Sequence, residues 1–297
     1  MLGEEMMTSL MWLRWPLLAV SAVVLAVSGL AVWQPLRAFN FVVPKDDAAS
    51  LIDSGVAYGE TPRQHLDIYR PVRTAKSLPI VVFFYGGAWS SGRREDYTFV
   101  GKALASRGYL VIIPDYRLVP EIHFPDFLLD CADAVRWTRR NAQRLGGDAN
   151  RIILVGHSAG AYNAAMLALD SRFLGDDYKA VRGFAALAAP LDFLPLDDPA
   201  SIAAFSHWPR LSETQPVNFV THTSPPALLL HGAADERVRP RNSQRLKMMM
   251  DAAGARAQLR IYPGVTHAGI LLALSKLSRG TAPVLDDIDR FAREITR

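Results

Sequence analysis

Short runs without a charged residue recur along the chain, and they limit its fold more than any other feature. Residues 79–85 read PIVVFFY, 109–114 read YLVIIP and 152–155 read IILV. Each is too short for a buried helix and rich in β-branched or aromatic residues. A strand that is apolar at every position must be covered on both faces, which is the condition of a central strand in a parallel sheet. Between these runs lie amphipathic stretches. Residues 125–145 predict a helix with Leu128, Leu129, Ala132, Val135 and Trp137 inward, stopped by Gly146-Gly147. Further strands are expected at 66–69, 183–187, 227–230 and 258–262. Further helices are expected ahead of Arg107-Gly108 and at 159–169, 243–253 and 284–295, with a polar linker at 45–50. Such alternation predicts an α/β architecture, a mostly parallel sheet with helices on both faces.

Half of the 297 residues are apolar and 21% are charged, which suits one large core and excludes a disordered chain. The net charge of +4 comes without a basic cluster interleaved with aromatics, so nucleic acid is not an expected partner. Cys131 is the only cysteine, which excludes an internal disulfide and a thiolate metal cage. With no His-Glu-X-X-His pattern and no phosphate loop, neither a metal nor a cofactor is expected.

The 22 residues between Arg14 and Arg37 carry no charge, and as a helix they would span the ~30 Å of a bilayer core. Trp12, Trp15 and Trp33 sit near the ends, where interfacial aromatics belong. The expectation is a retained membrane anchor. A cleaved export signal is the alternative, since Ala26-Val27-Ser28 and Gly29-Leu30-Ala31 both offer small residues at peptidase spacing. Residues 1–45 are thus read as anchor or signal plus linker, and 46–297 as the catalytic domain.

The chemistry is concentrated in Gly156-His157-Ser158-Ala159-Gly160, which follows one apolar run and opens a helix of small residues. A sharp strand-to-helix turn lifts a serine Oγ clear of the sheet at a helix N-terminus, where developing negative charge is favoured. A serine hydroxyl is a weak nucleophile and needs a base, itself oriented by an acid; on such elbows the acid and then the histidine follow in the chain. His267, after the expected strand 258–262, is the one histidine downstream of every plausible acid. The acid is read as Asp235, just past strand 227–230, with its neighbour Glu236 and the strand-end Asp192 as rivals, the latter also a helix-cap candidate. Gly86-Gly87 after strand 79–85 suits a loop that turns amides toward the serine. Gly87, Ala88 and Ala159 are the expected oxyanion donors, a plain turn being the alternative. His157 is read as support for the elbow, and His65, His123, His207, His222 and His231 as structural or exposed.

These residues together resemble the α/β-hydrolase fold serine esterases of the hormone-sensitive-lipase, feruloyl-esterase-like and kynurenine-formamidase-like kinds. The resemblance covers residues 60–270 and rests on 84–89, on 114–121 (PDYRLVPE), on the elbow, on the Asp235 loop and on His267. It implies the α/β-hydrolase fold, cleavage of carboxylic esters through an acyl-enzyme, and Ser158, Asp235 and His267 as triad. It also implies a structural part for Asp115 and Arg117. Tyr85 departs from the histidine that usually opens the glycine motif, and the Gly-His-Ser-Ala-Gly elbow is similar to the formamidase and feruloyl-esterase-like branch. Membrane-bound prenylcysteine methylesterases have a similar arrangement.

Residues 190–226 fall outside the strand–helix rhythm and carry Phe193, Phe205, Trp208 and Phe219. With Trp89, these either line an apolar substrate pocket or pack the insert onto the domain. An insert this short forms no large lid, so short-to-medium acyl esters are expected. An arylformamidase or amidase with the same triad is one alternative, and an inactive membrane-tethered binding protein is another.

Overall fold

The computed structural model describes residues 34–73 and 77–297. Most of the apolar segment 15–36, where the N-terminal membrane helix is expected, therefore lies outside the described residues. Helix α1 (Pro35–Val42) begins at its tail. Among the described residues no helix is long and apolar enough to cross a membrane. Pro44–Arg297 forms one compact unit and α1 belongs to a separate one.

In the larger unit eight strands form one sheet: β1 (Ala49–Ala57), β2 (His65–Pro71), β3 (Leu78–Phe84), β4 (Leu110–Pro114), β5 (Gly147–His157), β6 (Val181–Leu187), β7 (Ala227–Gly232) and β8 (Ala257–Tyr262). Their order is β1-β2-β4-β3-β5-β6-β7-β8. From β4 onward every pairing is parallel, while β2 runs antiparallel to both β1 and β4. Val81 and Val82 of β3 point to opposite faces yet both are inaccessible to solvent, so both faces are covered.

The helices between strands are α2 (Thr98–Ala105), α3 (Asp126–Leu145), α4 (Ala159–Leu169), α5 (Pro199–Phe205), α6 (Arg241–Ala252), α7 (His267–Leu272) and α8 (Val284–Ile295). Helix α3 packs against α4, and α2 against α8. The expected helices 159–169 and 284–295 match α4 and α8 residue for residue.

Several expectations need correction. The supposed linker at 45–50 runs into β1, an edge strand with Leu51 and Ile52 exposed; lacking a buried face, it leaves no period-two pattern in the sequence. In α3, Leu129 is 42% exposed and Trp137 half-buried, because the inward stripe runs through Phe127, Leu128, Cys131, Ala134 and Val135 instead. The insert 190–226 holds α5, whose N-cap is Asp198 and not Asp192: the Asp198 carboxylate accepts from the amides of Ala200 and Ser201.

Candidate active site

Strand β5 ends at His157 and α4 begins at Ala159, leaving Ser158 alone in the turn with φ 55° and ψ −124°. A left-handed φ at a residue with a Cβ is strained and persists only where surrounding structure holds it. Here the Ser158 amide donates to the Leu187 carbonyl of β6 at 2.9 Å, and its own carbonyl accepts from Ala161. The flanking glycines make room. A Cβ on Gly160 would lie 2.1 Å from the Phe84 carbonyl oxygen, and one on Gly156 would lie 2.3 Å from the Gly160 carbonyl oxygen.

His267 is the first residue of α7, not a loop residue as expected, and Thr266 caps that helix by accepting from the Gly269 amide. Its Nε2 lies 2.9 Å from Ser158 Oγ and its Nδ1 lies 2.8 Å from Asp235 Oδ2. A carboxylate only accepts, so Nδ1 carries the proton and Nε2 receives the serine O–H. Asp235 sits in the turn after β7, where its Oδ1 accepts from the amides of Arg237 and Val238. Burial alone would raise its pKa. Hydrogen bonds from His231 and His267 and from the Val238 amide overcome that and hold the carboxyl well below its ordinary range. Glu236 is exposed, and Asp192 lies by Arg245, 3.4 Å from its Nε; neither is placed at His267 by any hydrogen bond or ion pair.

Two further histidines brace this chain. His231 is fully buried: Nε2 donates to the Val238 carbonyl at 2.7 Å, with Asp235 Oδ2 at 3.3 Å, while Nδ1 accepts from Ser243 Oγ. It therefore pins both ends of the acid turn. His157 is also buried and donates from Nε2 to the backbone carbonyl of His267 at 2.9 Å. Burial, and then the neighbouring His267, push its pKa down to about 3, so it is neutral at ordinary pH.

The loop after β3 meets the serine from the other side. Gly87 turns the chain at φ 130°, its carbonyl accepting from the amides of Ser90 and Ser91, and Ala88 and Trp89 follow at φ 53° and 56°. Three successive residues with positive φ, two of them carrying a Cβ, concentrate strain here. The Tyr85 side chain anchors the loop: its hydroxyl donates to Asp115 and accepts from Arg63, and its ring stacks between Tyr97 and Tyr116. Asp115 in turn holds Arg94, and Arg117 pairs with Asp130 at 2.8 Å.

A cleft of about 200 Å³ opens on Ser158, Ala88, Ala159, Trp89 and Phe193, with Asp197, Asp198, Arg237, Arg239 and Arg241 among its other lining residues. Gly87 and Trp208 do not line it. Trp208 packs on Phe124 and donates to Glu213, so its expected place in the pocket is corrected. Phe219 lies under Arg172, and the fully buried Phe205 touches Trp89 edge-on at 4.8 Å. The charged lining was missed in the sequence. Its signal was an arginine at every second position from 237 to 241 directly after the acid.

A sheet of this order with a serine on a strained turn after its central strand and a histidine–carboxylate pair at its side defines an α/β-hydrolase. Residues 66–198 match the family described as BD-FAE, and residues 180–270 match the dienelactone hydrolase family. The isoprenylcysteine alpha-carbonyl methylesterase ICME of Arabidopsis thaliana is 30% identical over 78% of this chain and 60% of its own length. Esterase LipC of Mycobacterium tuberculosis is 28% identical over 82% and 65%. The structure of Esterase B from Lactobacillus rhamnosis superposes with a TM-score of 0.78 at 20% identity, covering 93% of this chain and 96% of that one. The chain thus shares the α/β-hydrolase fold, and in sequence it is similar to these esterases. It spans about three fifths of the length of the curated relative ICME.

Proposed function

We propose that this protein hydrolyses carboxylic esters through an acyl-enzyme on Ser158. The observation that carries the reading is the continuous hydrogen-bond chain from Ser158 Oγ through His267 to Asp235, at 2.9 and 2.8 Å, beside an open cleft. His267 Nε2 takes the serine proton as Oγ attacks the ester carbonyl, while Asp235 holds the tautomer and balances the imidazolium. The oxyanion turns to the amides of Ala88 and Ala159, which line the cleft, each such donor being worth roughly 3 kcal/mol. Collapse breaks the ester C–O bond, and His267 returns its proton to the departing alcohol. Water then gives a proton to His267 and attacks the acyl carbon, restoring Ser158 and releasing the acid. One ester and one water become one acid and one alcohol.

The cleft of about 200 Å³ is smaller than the roughly 300–1,000 Å³ of sites for drug-sized ligands, which favours short-to-medium acyl groups. The uncharged residues 15–36 favour tethering at a membrane, tested by whether alkaline carbonate strips the full chain from membranes.

The test of the activity is a fluorophosphonate probe with the Ser158→Ala variant. Labelling of the wild type, loss of labelling in the variant and a fall in p-nitrophenyl ester turnover by several orders of magnitude are expected. Unchanged turnover in the variant would remove Ser158 from the mechanism. Faster cleavage of N-formylkynurenine than of any ester would make the protein a formamidase.

A further inference from the structure

Three arginines, Arg237, Arg239 and Arg241, line the cleft that holds Ser158. They stand in the turn after Asp235 and at the first position of α6. All three are exposed, and among the described residues none of their guanidinium groups has an ion pair or side-chain hydrogen bond. Many other arginines among the described residues are paired, as Arg94, Arg117, Arg172 and Arg279 are. The α6 N-terminus adds a partial positive charge to the same wall. Asp197 and Asp198 line the cleft too, but the Asp198 carboxylate is engaged by the α5 amides. Three cations against two carboxylates still leave the cleft lining positive beside the nucleophile.

We propose that this wall selects esters bearing a carboxylate or similar anion, held by the three guanidinium groups while Ser158 attacks the ester carbonyl. Planar guanidinium forks suit a carboxylate, which they bind through paired hydrogen bonds. The inference rests on the esterase reading and adds the substrate class. The anion sits on either the acyl or the alcohol part, and the two sources are separable by experiment.

The test uses the full chain and compares kcat/KM for matched pairs. On the acyl side the pair is the mono-p-nitrophenyl ester of adipic acid against its half-amide. On the alcohol side it is the acetate ester of 4-hydroxybutyrate against that of 4-hydroxybutyramide, followed by pH-stat. Acetylcholine supplies a cationic ester. About a tenfold preference for one anionic member is expected, shrinking as salt rises from about 0.1 to 1 M and screening shortens. R237Q/R239Q/R241Q should abolish the preference, read as the ratio of kcat/KM within each matched pair, whereas Arg140→Gln on α3 should keep that ratio. Equal rates for anionic and neutral esters, or preference for acetylcholine, would overturn the inference and leave the esterase reading standing. Loss of turnover on every ester in the wild type would instead remove the reading beneath it.

Discussion

The imidazole of His157 donates from Nε2 to the main-chain carbonyl of His267 at 2.9 Å, so the residue before Ser158 holds the backbone of the residue whose ring accepts the Ser158 hydrogen bond. The two sit 110 positions apart in the chain. Ser158 Oγ and His267 Nε2 are thus fixed relative to each other from both sides, by their own hydrogen bond and by the neighbouring ring.

His157 also makes stability depend on acid. Its pKa is about 3 in the fold, mainly through burial and then through His267, against about 6.5 in an unfolded chain. A group whose folded pKa is depressed stabilises fully above the unfolded value and loses that contribution as pH falls through the window down to the folded one. Between about pH 6.5 and 3 the unfolded chain takes up a proton that the fold refuses, and stability falls with a slope approaching 1.4 kcal/mol per unit. Asp235 acts with the same sign, but only below about pH 4. Urea unfolding at pH 7, 6 and 5 should therefore show a shallower acid loss in His157→Asn than in the wild type. Identical losses would mean that His157 is not buried neutral. Because the ring also positions His267, the variant should lose kcat more than KM.

Asp235→Asn separates orientation from architecture. An asparagine oxygen can still accept from the Arg237 and Val238 amides and keep the turn. Its NH2 would face His267 Nδ1 and favour the tautomer with the proton on Nε2, which cannot accept from Ser158. The expected loss in kcat is about 10⁴-fold, the scale seen when a triad carboxylate becomes an amide. The apposed His231 N–H adds a stability loss of about 1–3 kcal/mol. Stopped assays and thermal melts on the same preparation measure both; activity within tenfold of wild type would displace Asp235 from the relay.

The parallel half of the sheet and the Ser158, Asp235 and His267 positions were legible in the sequence for one reason. Buried strands and strained turns permit few residue types, so PIVVFFY and Gly-His-Ser-Ala-Gly each have few other homes. What was not legible lacks that constraint. β1 has no buried face to mark it, and Leu129 shows how a leucine on an amphipathic helix can end outside the inward stripe. Trp208 could not be told from Trp89, since an aromatic fills a pocket wall or an interior gap equally well and only tertiary packing decides. The arginines at 237, 239 and 241 carry no role in the sequence reading, because only the fold brings the turn after β7 beside Ser158.

The elbow glycines permit a direct steric test. In Gly160→Ala the new methyl would fall 2.1 Å from the Phe84 carbonyl oxygen and 2.3 Å from that of Tyr85, both main-chain atoms at the end of β3. Nothing flexible can yield there, so the loss should exceed the 1–3 kcal/mol usual for overpacking. Gly175→Ala is the comparison: φ is +56° but no atom lies within 4 Å, and about 1–2 kcal/mol is expected from the left-handed backbone alone. Thermal melts should rank Gly160→Ala well below Gly175→Ala. The reverse order would mean that the approach of β3 to α4 is looser than the carbonyl positions imply.

Phe205 tests what sets the depth of the cleft. Its ring is fully buried, 4.8 Å from Trp89, 5.2 Å from Tyr162 and 5.3 Å from Phe193, so it stands directly behind two cleft-lining residues. Trp89 is held from the far side as well, its Nε1 donating to the buried Asn163. Phe205→Ala removes a whole ring from this cluster and should cost about 3–5 kcal/mol, read as a lowered urea midpoint at unchanged m-value. The vacated space lies behind the cleft wall, where Phe193, only half-buried, can swing inward more readily than the anchored Trp89. The wall then recedes, and the optimum across a series of p-nitrophenyl acyl esters should move to longer chains. A destabilised variant with an unshifted optimum would mean that Phe193 stays in place and that chain length is limited at the charged rim instead.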